Sequence, residues 1–303
     1  MNPTIIDTDP GIDDALALLL AWGSPELAVE ALTTVAGNVP VEQATANAWR
    51  LCVLRRPALV PTLAPGAAAP LRRPLRTATE YHGQDGLGDA GGWPATPARL
   101  GSAGAVDVLI DLARRHGERL VLIAIGPLTN VAQALRRDAG ALRSVGRVVV
   151  MGGAVDVPGN VTPDAEFNIH VDPDAAREVF DRGLPIDLVP LDATRQVVLR
   201  RAELEAALAR CPPPLAERIA AFTARGFREQ GGDGSPGMTM HDPLAVGVAI
   251  DPTLVTWEPA RLRVGPDGET RRAPGAPNCR VAGRVDRDRF LAMFLARLCP
   301  RAG

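Results

Sequence analysis

Four carboxylates stand close together near the N-terminus: Asp7, Asp9, Asp13 and Asp14. Asp7 and Asp9 are two positions apart, so at the end of an extended segment they point the same way. Pro10-Gly11 then turns the chain, and Asp13 and Asp14 open a strongly apolar run. Asp is ordinary at a helix N-cap or in a first turn. Capping accounts for one or two of these carboxylates, not for all four. Two like charges about 4 Å apart repel by about 4 kcal/mol at an effective dielectric near ~20. Clustered carboxylates beside apolar segments therefore need a cation or must take up protons. All the donors are oxygens and no Cys is near, so the cation that fits is hard, Ca2+ or Mg2+, with positions left open for water or substrate.

A second acidic centre is Met240-His241-Asp242-Pro243. Asp at an N-cap with Pro at the first helical position would also explain it. A lone His beside such a cap is more often structural than catalytic. Neither residue identifies a reaction by itself.

The elements that must position these groups alternate. Residues 3–7, 27–35, 120–125, 148–151 and 186–191 read as strands, and 15–22, 41–54 and 129–137 as helices. Strand-then-helix repetition argues for an α/β fold: an open, mainly parallel sheet flanked by helices, with a Rossmann-like core. In such sheets ligands bind beyond the carboxyl ends of the strands. The chemically unusual residues fall there. The acidic string follows the first strand, and Asn38 follows the second. Gly126-Pro127-Leu128-Thr129-Asn130 follows residues 120–125. Met151-Gly152-Gly153, then Asn160, Glu166 and Asn168, follow residues 148–151. The Pro-rich stretch 57–74 reads as a connector or irregular edge, and 231–237 (Gly-Gly-Asp-Gly-Ser-Pro-Gly) as a mobile loop. No composition break separates two units, so residues 1–303 are expected to form one domain.

Composition excludes several classes. The 303 residues carry a formal net charge of −2, and every one of the 33 basic residues is Arg. Nucleic-acid and membrane-surface binding are not expected of such a chain. Without Lys there is no Schiff-base chemistry and no phosphate-loop lysine. Cys52, Cys211, Cys279 and Cys299 are widely spaced with no C-x-x-C pair, so neither a zinc cluster nor a dithiol site is supported. The longest apolar run, 15–22, is far short of the ~20 residues a membrane span needs. The N-terminus has no basic region before Asp7, so no signal peptide is expected. The expected location is the cytoplasm.

The string Asp7-Thr8-Asp9-Pro10-Gly11-Ile12-Asp13-Asp14-Ala15 resembles the N-terminal signature of the inosine-uridine preferring nucleoside hydrolases, Ca2+-dependent N-ribohydrolases. Further segments match in order: Thr33-Thr34-Val35-Ala36-Gly37-Asn38, His82-Gly83-Gln84-Asp85-Gly86-Leu87-Gly88, Gly126 to Asn130, Met151-Gly152-Gly153, Gly159 to Asn168, and His241-Asp242-Pro243. The resemblance runs nearly the length of the chain and is weakest at 57–74 and 261–279. It implies the nucleoside hydrolase fold. It implies Ca2+ bound by Asp9, Asp14, Asp242 and the backbone carbonyl of Ile125, with Asp7 orienting them. Asp13 would be the base that activates a water on the metal. Asn38, Asn160, Glu166 and Asn168 would hold ribose hydroxyls, with Met151 a secondary contact. His241 would protonate the departing base, and His82 would lie on a loop over it. Members of the family are usually homodimers or homotetramers.

The implied chemistry is physically coherent. Breaking an N-ribosidic bond passes through an oxocarbenium-like cation, which surrounding carboxylate and amide oxygens stabilise more than the neutral substrate. Phe227 and Trp257 are further aromatic groups available to close over a base, although a core or surface place is at least as much to be expected of them. A haloacid-dehalogenase-like phosphatase also places Asp-x-Asp after its first strand, but Gly11 and the absence of Lys count against it. A nucleoside-binding protein without catalysis would be expected to lack Asp13 or a ribose contact, and none is missing. The same chemistry on a purine-only nucleoside or nicotinamide riboside stays open.

Overall fold

The computed structural model describes residues 1–98, 100, 101, 103–230 and 237–299. The chain opens with strand β1 (Asn2–Thr8), helix α1 (Ile12–Trp22), strand β2 (Leu27–Thr34) and helix α2 (Val41–Arg55). Then come β3 (Thr62–Pro65), α3 (Thr79–His82), α4 (Ala105–His116) and β4 (Val121–Ala124). The middle of the chain forms α5 (Thr129–Arg137), α6 (Ala139–Arg143), β5 (Arg147–Met151), α7 (Phe167–Val171), α8 (Pro173–Asp181) and β6 (Ile186–Val189). After it follow α9 (Leu191–Thr194), β7 (Val198–Arg200), α10 (Arg201–Leu208), α11 (Pro213–Gln230), β8 (Gly237–Thr239) and α12 (His241–Ile250). The last elements are β9 (Val255–Ala260), β10 (Leu262–Val264), β11 (Thr270–Arg272), β12 (Cys279–Val285) and α13 (Arg287–Arg297).

Eight strands form one sheet in the order β3-β2-β1-β4-β5-β6-β12-β9. Neighbours are parallel except β9, which runs antiparallel to β12 at the edge. A strand buried on both faces must be apolar on both, and β1 is. Ile6 packs into the layer that holds α1 and α12, while Ile5 packs into the layer that holds α4 and α5. Helix α1 is closed on all sides: Leu16, Leu18, Leu19 and Leu20 are fully buried. Full burial of one such side chain is worth about 1.5–3 kcal/mol, so this helix is fixed against the sheet and its first turn is a rigid platform.

The chain leaves β1 for β2 on one side and reaches β4 on the other. The crevice between the carboxyl ends of β1 and β4 is thus the topological switch point, where open α/β sheets bind ligands.

Several local expectations need correction. The Pro-rich stretch 57–74 contains β3, which pairs with β2 as the sheet's other edge. Pro is tolerated there because an edge strand has unpaired positions. The strand expected over 186–191 ends at Val189, where Pro190 breaks it and α9 begins. The 231–237 segment lies outside the described residues except Gly237, which opens β8. Cys211 and Cys299 form a disulfide across 88 positions, which the spacing did not reveal. Among the described residues no helix is long and apolar enough to cross a membrane.

Candidate active site

Helix α1 begins directly at the switch point because Pro10 ends β1. Gly11 N–H donates to Asp14 Oδ2 at 3.0 Å, and Thr8 Oγ1 donates to Asp14 Oδ1 at 2.6 Å. Asp14 therefore does cap the helix, as the plainest reading held. Yet Asn38 Nδ2 also donates to Asp14 Oδ2, at 3.0 Å, and ties the carboxylate to the end of β2.

Asp14 then meets a residue from far along the chain. Carboxylate oxygens of Asp13, Asp14 and Asp242 lie within 4.8 Å of one another. Asp242 is not an N-cap: α12 starts at His241 with Met240 as its cap, and Asp242 sits in the first turn. Helices α1 and α12 pack side by side, which brings their acidic first turns together.

Asp9 lies beside this trio rather than within it. Its Oδ2 accepts from Asn38 N–H at 2.6 Å, and its Oδ1 is buried with no partner. The carboxylate is held between two backbones that must lack side chains. A Cβ on Gly37 would come within 2.0 Å of Asp9 Oδ2, and one on Gly126 within 2.7 Å of Oδ1. Asp7 is fully buried. Thr33 Oγ1 and Asn130 Nδ2 both donate to its Oδ1, at 2.5 and 2.8 Å, while its Oδ2 has no partner. Asn130 also reaches the Thr34 carbonyl and the Ala67 N–H, so it locks Asp7 to the ends of β2 and β3.

Burial without a counter-charge dominates the electrostatics. It raises the Asp7 carboxyl to about 6 and, with repulsion from Asp14, the Asp13 carboxyl to about 7. Burial raises Asp14 too. It lifts Asp9 well above the usual range with the help of Asp14 and Asp13, and Asp242 likewise through Asp13, Asp14 and Asp9. A set of oxygen donors this buried and mutually repelling, two with orphaned oxygens, fits a hard divalent cation.

A cavity of about 280 Å3 opens over the cluster. Of the expected residues, Asp13, Asn38, His82, Ile125, Met151, Asn160, Glu166, Asn168, His241 and Asp242 line it, and the buried Asp7, Asp9 and Asp14 do not. The Ile125 carbonyl, at the end of β4, accepts from Asn168 Nδ2 at 2.9 Å and keeps a second lone pair. Glu166 caps α7, and its carboxylate takes three backbone donors: Gly153, Asn168 and Ile169. Asn160 Oδ1 accepts from Phe167 N–H, which leaves its Nδ2 unused in that bond.

One of the two histidines sits differently from expectation. His82 closes α3 rather than riding on a loop, and it is buried. Its Nδ1 accepts from Ile12 N–H at 3.0 Å, a contact that a Cβ on Gly11 would block at 2.5 Å. His241 Nδ1 lies 2.8 Å from Thr194 Oγ1. Burial pushes both rings down, to about 3 for His82 and about 4 for His241.

Neither Phe227 nor Trp257 lines the cavity. Phe227 is packed in the core under Arg201, and Trp257 lies on edge strand β9 under Arg147 and Arg280. Their aromatic character marked them, but apolar packing explains them. Tyr81 and Gln230 do line the cavity and went unmarked. Nothing in their spacing brings α3 to the end of α11; only the fold does.

An open α/β sheet with an acidic cavity at its switch point is the arrangement of a small-molecule site. Residues 4–292 match the family model described as inosine-uridine preferring nucleoside hydrolase. The pyrimidine-specific ribonucleoside hydrolase RihA of Enterobacter sp. is 35 % identical over 98 % of this chain and 97 % of its own length. The non-specific ribonucleoside hydrolase RihC of Klebsiella pneumoniae is 40 % identical over 88 % of this chain and 84 % of its own. The structure of a purine-preferring ribonucleoside hydrolase from Gardnerella vaginalis superposes with a TM-score of 0.92 at 33 % identity, covering 98 % of each chain. The chain belongs to the inosine-uridine preferring nucleoside hydrolase family. It is a nucleoside N-ribohydrolase, which splits ribonucleosides into base and ribose.

Proposed function

We propose that hydrolysis is organised around one Ca2+ held by Asp9, Asp14, Asp242 and the Ile125 carbonyl. The convergence of Asp14 and Asp242 with Asp13 at the floor of the cavity carries this reading. An ion held there would supply counter-charge to the carboxylates, would attract the sugar's oxygens and would lower the pKa of a nearby water.

The protein's own residues do the rest. Asp13 lines the cavity beside Asp14 and Asp242, and in this reading, as the resemblance implies, it is the base that takes a proton from the attacking water. Asp7 acts from below, where Asn130 and Thr33 fix it, and orients the ligands. Asn38, Asn160, Glu166 and Asn168 ring the ribose, with Met151 beneath it. Their oxygens stabilise positive charge on the sugar as the glycosidic bond lengthens. His241, steadied by Thr194, faces the departing base, and His82 borders it. The reading retains a cytoplasmic homodimer or homotetramer acting in nucleoside salvage, to be checked by sedimentation and cell fractionation.

Product analysis tests the proposal. Uridine and inosine are incubated with the enzyme in phosphate buffer, with and without chelator. Free base plus ribose, lost on chelation and regained with Ca2+, is expected. Ribose 1-phosphate, or turnover indifferent to chelator, would overturn it.

A further inference from the structure

Arg50, Arg55, Arg56 and Arg218 line one cavity of about 550 Å3, and no carboxylate lines it with them. The first three come from the second half of α2 and its C-cap, the fourth from α11. None of the four makes an ion pair among the described residues. Elsewhere in the molecule a basic cavity is balanced from within: Arg147 and Arg280 both pair with the buried Asp187. The four-arginine cavity shares no lining residue with the hydrolytic one.

Helix-end electrostatics explain part of this cluster. Cations are favoured in the last turn of a helix, and α2 ends at Arg55 with Arg56 as its cap. Arg50 lies more than one turn before that end, and Arg218 belongs to another helix, so the α2 dipole accounts for neither. Their partners are neutral. Arg218 donates from Nη1 and Nη2 to the carbonyls of Gly91 and Gly92, at 2.6 and 3.1 Å, and its guanidinium lies 4.9 Å from the centre of the Trp93 ring. Arg50 Nη1 donates to Asn47 Oδ1 at 3.2 Å. These contacts orient the two guanidiniums without cancelling their charge, and they leave most of the five N–H donors of each fork unused. Arg50 Nε and Trp93 Nε1 are buried donors with no partner. The rest of the wall is largely apolar, with Val53, Leu54, Trp93 and Leu215 beside the arginines.

We propose that this cavity binds an organic phosphate: the arginine forks hold the phosphate group, and an apolar or aromatic body rests on Leu54, Trp93 and Leu215. Guanidinium forks match the oxygens of carboxylate and phosphate alike. A phosphate monoester brings about −1.5 to −2 charges and three acceptor oxygens, which suits several uncompensated arginines better than the single charge of a carboxylate.

Calorimetric titration of the intact protein tests the site with three probes: phenyl phosphate, benzoate and inorganic phosphate. Wild type is compared with Arg56→Ala and Arg50→Met. Arg56 is exposed and makes no side-chain hydrogen bond among the described residues, so its loss leaves the fold in place. Wild type should bind one phenyl phosphate per chain, more tightly than benzoate or inorganic phosphate, and more weakly as NaCl is raised. Each substitution should weaken phenyl phosphate by about ten-fold, with circular dichroism and Tm unchanged. No binding of phenyl phosphate by wild type, or an affinity unchanged in Arg56→Ala, would overturn the site. Benzoate or inorganic phosphate bound as tightly as phenyl phosphate would overturn the assignment of an organic phosphate to it.

Discussion

Thr194 Oγ1 lies 2.8 Å from Nδ1 of His241, and the contact joins the end of α9 to the first residue of α12. With the Thr hydroxyl as donor, the neutral imidazole carries its proton on Nε2. Burial pushes the ring down to about 4, so the neutral form dominates at physiological pH. His241 then assists the leaving base as an oriented hydrogen-bond donor rather than as a standing imidazolium.

His241→Ala is expected to cut inosine cleavage by about 10²-fold or more and p-nitrophenyl riboside cleavage far less. Steady-state kinetics on the two substrates checks this. Equal losses on both would remove His241 from leaving-group assistance.

Asp13→Asn keeps the shape of the side chain but removes the proton acceptor. Turnover should fall by about 10²–10⁴-fold with KM changed only a few-fold. A large rise in KM with kcat preserved would make Asp13 a ribose contact instead of the base.

The carboxylate cluster makes stability depend on pH in a defined direction. Asp7 and Asp13 have folded-state pKa values raised to about 6 and about 7, from an ordinary 3.8. Between those limits the folded protein holds protons that the unfolded chain has released, so stability without a cation falls as pH rises. A bound divalent ion replaces those protons. Thermal melts of chelator-stripped protein should therefore drop between pH 6.5 and pH 8, above the range in which the buried His82 and His241 act in the opposite sense, and Ca2+ should raise Tm more at pH 8 than at pH 5. A Ca2+ shift that is the same at both values, or larger at pH 5, would contradict this electrostatic account.

Much of this site is legible in the sequence because parallel-sheet folds put reactive residues just past strand ends. Asp9, Asn38, Ile125 and Met151 all occupy such positions, and the pattern of strands finds them. Asp242 is legible only through family resemblance, since Asp-Pro at a helix start usually signals a cap. What stayed hidden depends on contacts between distant elements. Tyr81 and Gln230 line one cavity, and Arg225 ties α3 to α11 beside it. Asn130 looks like a helix-start residue but in fact braces Asp7. Cys211 and Cys299 pair across 88 positions with no local signal. Phe227 and Trp257 take the other place the sequence left open to them, in the core and on an edge strand, because large aromatic side chains bury much apolar area.

Calorimetric titration of Ca2+ into chelator-stripped protein, wild type beside Asp242→Asn, tests the central arrangement most directly. One ion per chain is expected for the wild type, and loss of measurable binding for the variant, with its far-ultraviolet circular dichroism unchanged. Undiminished one-to-one binding by Asp242→Asn would mean that the two ends of the chain do not share a cation.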